Sequence, residues 1–134
     1  MKFNEHGQFQ LETSGNVIYY RVLGCWNIEA SKSCLDLIRK CFEEVKGKPI
    51  IMVVDSTDFE GGIEEAYPLW SAEMSFWLTS GMTHFIRIDD SKSVRYNLFI
   101  ERMDKAIQAV VKFNFANDFD DAIKQSKAYG FIGF

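Results

Sequence analysis

Residues 49–54 read Pro-Ile-Ile-Met-Val-Val, an apolar run without a polar break. A strand with one wet face alternates apolar and polar residues; this one does not, so both of its faces must be covered. Six residues are too few for a buried helix, and the polar stretch Asp55–Gly62 follows at once. A strand of this kind belongs at the centre of a parallel sheet, with packing layers above and below it.

The rest of the chain supplies those layers. Gln8–Thr13 reads as a short strand in which Phe9 and Leu11 alternate with polar neighbours, Ser14-Gly15-Asn16 as a turn, and Val17–Leu23 as a β-branched and aromatic strand that completes a hairpin. Gly24–Asn27 reads as a loop, with Asn27 as the N-cap of a helix that runs to about Val45 and stops at Gly47. After the loop 55–62, a helix is predicted from Glu64 to Thr79 and a strand over His84–Ile88. Next come a helix capped by Ser91 or Ser93 and reaching Ala106, an edge strand over Val110–Phe115, and a helix from an Asn117 or Asp118 cap to Ala128. Strand–helix alternation implies right-handed crossovers and a mostly parallel sheet of five strands with an N-terminal hairpin and about four helices. The 134 residues are read as one domain, residues 1–134. On such sheets ligands collect outside the carboxyl ends of the strands, here Gly24–Asn27, Asp55–Gly62, Asp89–Asp90 and Asn114–Asn117.

Fifteen Lys and Arg against nineteen Asp and Glu leave a net charge of -4, with no basic footprint for nucleic acid. The three cysteines, Cys25, Cys34 and Cys41, form no C-x-x-C pair and are expected as reduced thiols. The first ten residues hold no apolar signal segment and no stretch is long enough to span a bilayer, so a cytoplasmic protein is expected, with peripheral membrane contact left open. Aromatic residues make up 15%, with twelve Phe, five Tyr and three Trp, a surplus that must fill the core, line a pocket, or meet a partner or membrane.

Three stretches carry a family likeness: Gly24-Cys25-Trp26-Asn27-Ile28-Glu29-Ala30, where a strand runs into a helix; the apolar strand ending in Asp55, with Thr57-Asp58-Phe59-Glu60-Gly61 after it; and Phe115-Ala116-Asn117-Asp118-Phe119-Asp120-Asp121-Ala122-Ile123. In these the chain resembles the STAS domain of anti-sigma-factor antagonists of the SpoIIAA type, and more narrowly an uncharacterised SpoIIAA-like branch in bacteria. The resemblance implies a non-enzymatic binding or regulatory module, and the related CRAL-TRIO architecture implies that the fold can open an apolar, lipid-binding pocket. The antagonists carry a phosphorylated serine in a D-S-[ST]-G motif at the start of the helix after the central strand. Glu64 and Glu65 stand there in this chain, while Ser56 and Thr57 fall earlier, so the serine switch is not expected.

Two candidate sites follow. Ile63, Tyr67, Trp70, Met74 and Trp77 recur at spacings of four, three, four and three, one apolar stripe along the second helix, and Ala66, Leu69, Phe76 and Leu78 widen it beyond what one sheet face needs. Tyr67, Trp70, Met74, Trp77 and Leu78 are therefore candidates for the wall of a ligand pocket or a membrane-facing patch, with core and dimer interface as the plainer alternative. The second helix has no Lys or Arg for membrane contact, a charge that Lys92, Arg95, Arg102 and Lys105 on the third helix would supply if it lies alongside, and Tyr129, Phe131, Ile132 and Phe134 in the closing segment are expected to close over the same region. A polar site at the strand ends would use Asn27, Asp55 and Asp58, with Glu60, Glu64 and Glu65 nearby; such carboxylates can serve acid–base chemistry or simply accept loop hydrogen bonds. His6 and His84 stand apart from any ligand spacing, so no metal, cofactor or catalytic residue is assigned. The expected partners are a small apolar molecule or lipid, a regulatory protein, or a second copy of the chain through the edge strand 110–115.

Overall fold

The apolar run lies in the middle strand of a five-stranded sheet ordered β1-β2-β3-β4-β5, the order of the sequence itself. The computed structural model describes residues 7–45, 49–62, 64–89 and 98–134. Their elements are β1 (Gln8–Ser14), β2 (Val17–Trp26), α1 (Ile28–Glu44), β3 (Ile50–Gly62), a 3₁₀ turn (Glu64–Ala66), α2 (Tyr67–Thr79), β4 (Met82–Ile88), α3 (Leu98–Gln108), β5 (Lys112–Ala116) and α4 (Phe119–Ala128). β1 and β2 pair antiparallel, and every later neighbour pair is parallel.

This topology fixes the layers. The crossovers from β2 to β5 step one way across the sheet, so crossovers of one hand place their helices on one face. α1, α2 and α3 share a core there with Ile18, Tyr20, Val22, Ile50, Met52, Val54 and Phe85. α4 follows the last strand and covers the other face, where Ala122 and Ile123 meet Val17, Ile51, Val53, Ile86 and Ile88. Successive residues of β3 thus enter different cores, which is why its sequence does not alternate.

The caps follow local chemistry. The Asn27 side chain accepts a hydrogen bond from the Ala30 amide at 3.0 Å, and Asp118 accepts from the Asp121 amide at 2.8 Å, settling which of two candidates begins α4. The helix that carries Tyr67, Trp70, Met74 and Trp77 starts later than expected. Glu64–Ala66 forms a 3₁₀ turn, and Pro68 sits in the first turn of α2, where its missing N–H costs nothing.

The larger correction concerns residues 55–62. The polar stretch expected as a loop continues β3, because β2 itself runs on to Trp26 instead of ending at Leu23. Leu23 pairs with Asp58, Gly24 with Phe59 and Trp26 with Gly62, and two register shifts absorb the irregularity. Pairing with a neighbouring strand overrides turn-like composition here. At the far edge β5 begins at Lys112, since Val110 and Val111 form the turn after α3. Gly47, Ile63, Asp90, the cap candidates Ser91 and Ser93, Lys92, Arg95 and His6 lie outside the described residues.

Candidate functional site

A cleft lies between the sheet and the helices near the carboxyl ends of β2, β3 and β4. Tyr20, Val22 and Trp26 reach it from β2, Val54, Phe59 and Gly62 from β3, and Arg87 from β4. Ser31 of α1, Trp70 of α2, and Phe99, Ile100 and Met103 of α3 close it. The aromatic side chains touch one another around it. Ring centroids are 6.1 Å apart for Trp26 and Trp70, 6.5 Å for Tyr20 and Trp70, 6.5 Å for Trp26 and Phe59, and 5.9 Å for Phe59 and Phe99. The free space is about 30 Å³, roughly one water's share of the liquid.

One wall is ionic. Arg87 and Asp104 are both buried, and the guanidinium Nε and Nη2 donate to Asp104 Oδ1 at 3.0 and 2.6 Å. Nη1 donates to the buried Ser56 hydroxyl at 2.6 Å. A charge pair removed from water survives only when hydrogen bonds satisfy both partners, as they do here. Above the pair, the Trp70 indole Nε1 donates to Ser31 Oγ at 3.0 Å, which fixes both side chains. Burial is the main reason that the Tyr20 phenol is held well above its ordinary pKa, although nearby Arg87 pulls the other way. Tyr20 is therefore a neutral hydroxyl.

Among the residues that the α2 stripe nominated, Trp70 lines the cleft. Met74 and Trp77 are buried in the core between α2, α1 and the sheet, and Trp77 stacks on Phe42 with centroids 6.4 Å apart. Tyr67 packs edge-on against Phe99 at 5.8 Å and lies under the Arg102 guanidinium at 3.8 Å. The widening flank is covered within the chain: Phe76 meets Phe42 at 6.0 Å and Arg39 at 4.0 Å, while Leu69 and Leu78 pack partly buried against the same core. α2 is apolar on several sides because it sits between α1 and α3.

The strand-end carboxylates do not gather at the cleft. Asp55 accepts from the Thr57 amide at 2.9 Å and lies 4.0 Å from Arg21, and Asp58 is ion-paired to the same arginine. Glu64 is paired with Arg102. Asn27 serves the α1 cap. Among the described residues no group of three or more His, Cys, Asp or Glu is placed to hold a metal ion. The cysteines are free thiols, Cys25 exposed and the other two buried, and burial pushes the Cys41 thiol up to about 11. His84 lies against Tyr129 and Phe131, with centroids 4.6 and 4.9 Å away.

Of the cleft residues, sequence reasoning nominates Trp70; it misses the rest, Tyr20, Ser31, Arg87 and Phe99 among them, together with Asp104 behind Arg87. Two signals pointed to the ion pair. Arg87 falls on the same face of β4 as Phe85, and Asp104 falls within the apolar spacing Ile100, Met103, Ile107 of α3. A charge on an inward-facing position requires a partner.

No helix among the described residues is long and apolar enough to cross a membrane. No family model matches the chain, and no curated protein matches it. Among solved structures it is similar to an uncharacterised protein of the DUF3478 family from Shewanella loihica PV-4, described as having a SpoIIAA-like fold. The two align with a TM-score of 0.64 and 17% identity over 93% of this chain and 98% of that one. At that identity the likeness is one of architecture: a mostly parallel five-stranded sheet with four helices, the SpoIIAA-like fold.

Proposed function

We propose that this chain is a binding module of SpoIIAA-like fold, not an enzyme, and that it takes a small apolar molecule in the aromatic cleft between β2–β4 and α1–α3. The observation that carries this reading is the cleft itself. It stands at the carboxyl ends of parallel strands, where this class of sheet receives ligands, and its walls are apolar with a few converging polar groups. Its free space of about 30 Å³ is smaller than the ~150 Å³ cavity known to admit benzene, so entry requires the walls to part. The mouth has the means. Phe99 is only half-buried there, and Gly62 beside it has no side chain.

The test is titration of the whole chain with small aromatic probes such as benzene and indole, and separately with phospholipid vesicles, while the three tryptophan indole N–H resonances are followed. Saturable shifts at Trp26 and Trp70 with the small probes are expected. A valine at position 62 would set its Cβ 3.4 Å from both Phe59 and Phe99. Gly62→Val should therefore narrow the mouth and weaken binding without unfolding the chain. Vesicle-induced shifts with none from the small probes would replace the cleft reading with membrane contact. No response to either would end both.

A further inference from the structure

We infer that Phe99 is the gate of this cleft: its ring holds the place of a flat aromatic ring of the ligand and swings into solvent when that ring enters. The inference rests on the binding-module reading and adds the class of ligand and its route of entry.

Among the described residues that line the cleft, all are buried except Gly62 and Phe99, which are half-buried. These two are where the cleft meets solvent, and they are matched to each other. The backbone at position 62 lies outside the left-handed region, so its conformation does not call for glycine. What the missing side chain provides is room for the ring. Phe99 Cδ2 and Cε2 both lie 3.4 Å from where a Cβ on Gly62 would stand.

Phe99 fills a place made for a ring. The Phe59 ring lies 5.9 Å away, tilted by 48°, and the Tyr67 ring lies 5.8 Å away, edge-on. Trp26 and Trp70 continue the aromatic wall beyond Phe59. With Phe99 in position the free space is about 30 Å³, far below the ~150 Å³ that admits benzene. With Phe99 withdrawn, the space of a phenyl ring is added, and a flat ring of the ligand inherits the contacts that Phe99 gives up. The exchange costs little, because Phe99 already stands half in water, in the first turn of α3. A helical phenylalanine has two χ1 wells to move between, with no change in the backbone. A puckered saturated ring recovers contact area in that place but not the edge-to-face attraction of an aromatic pair.

Benzene and cyclohexane, each titrated into the full chain with the Trp70 indole N–H as reporter, test this. On saturation of the unaltered chain with benzene, the nuclear Overhauser contact between the Phe99 ring and Gly62 Hα should vanish, and one between benzene and Gly62 Hα should replace it. Cyclohexane should bind roughly two- to tenfold more weakly, the span of one aromatic pair. Phe99→Ala removes the gate and should tighten benzene binding about tenfold or more, the factor for a gate open a tenth of the time or less; a preserved amide spectrum shows that the variant folds. Benzene saturating the cleft with the Phe99–Gly62 contact intact, or no tighter binding by a folded Phe99→Ala chain, would overturn the gate and leave the apolar cleft standing. Cyclohexane binding as tightly as benzene would overturn the flat-ring class. Binding of neither probe by the unaltered chain would remove the cleft reading and this inference together.

Discussion

Trp77 is wholly buried, stacks on Phe42, and has an indole N–H that meets no partner among the described residues. Its value is therefore in its ring and not its polar edge. Trp77→Ala should lower stability by about 3–5 kcal/mol through the cavity it leaves, whereas Trp77→Phe should cost far less because the orphaned donor leaves with the indole. Urea unfolding of both variants separates the two terms, and equal losses would refute the account. His84 offers a pH signature. Burial, and secondarily Lys112 opposite it on β5, lowers its pKa in the folded chain. The unfolded chain then binds the proton more readily, starting from an ordinary value of about 6.5. The stabilisation is complete above that value and is lost as the pH falls through the lowered one. The urea midpoint should drop between pH 7.5 and 5.5, and His84→Gln should flatten that drop. Ser56 argues at the same scale against a serine switch, since its hydroxyl is buried under Arg87 and closed to a modifying enzyme.

At the scale of elements, the segment after α4 is a strap across the β1–β2 turn. The Asn16 amide donates to Ile132 O and the Ile132 amide donates to Asn16 Oδ1, both at 2.9 Å, and the Phe134 amide donates to Ser14 Oγ at 2.9 Å. The approach is close enough to exclude side chains. A Cβ on Gly133, whose φ is +155°, would stand 2.0 Å from Ser14 O. Gly133→Ala should lift the strap and cost about 1–3 kcal/mol from backbone strain. Loss of the Tyr19–Phe134 contact, whose ring centroids lie 6.2 Å apart, should appear with it in nuclear Overhauser spectra. An unchanged melting temperature and an intact contact would show that the strap tolerates the methyl group. α2 is also explained by its neighbours: a helix between two others needs no amphipathic stripe, so its broad apolar surface marks its place in the layer.

Across the whole molecule, burial falls from the centre of the sheet to its edges. Residues 50–54 of β3 and 85–88 of β4 are buried along their length, while β1 alternates between exposed and half-buried positions and β5 is half-buried over Phe113–Phe115. Native-state hydrogen exchange should follow that gradient. Amides of β3 and β4 should open only with global unfolding, and those of β1 and β5 through smaller openings. Slowest exchange in β1 would contradict the layering. Ligand binding at the cleft should add protection in α3 and the end of β3, the elements that form its mouth.

Much of this architecture was legible in the residues. The unbroken run Ile50–Val54 required two covering layers, Asn27 marked the first helix, and the alternation of strand and helix required parallel crossovers. These are local signals, set by period and by hydrogen bonds within one turn of chain. The extension of β3 through Asp55–Gly62 was hidden, because its hydrogen bonds go to β2, more than thirty residues earlier. The cleft was hidden for the same reason, and of the five residues put forward for a pocket wall, Tyr67, Trp70, Met74, Trp77 and Leu78, Trp70 lines it. Arg87 finds Asp104 seventeen residues away and Ser56 thirty-one away, and Tyr20 is buried only when α1, α2 and α3 close over the sheet. Which residues are inward could be read from the pattern, but which inward residues meet, and what space they leave between them, was decided by the packing of distant segments.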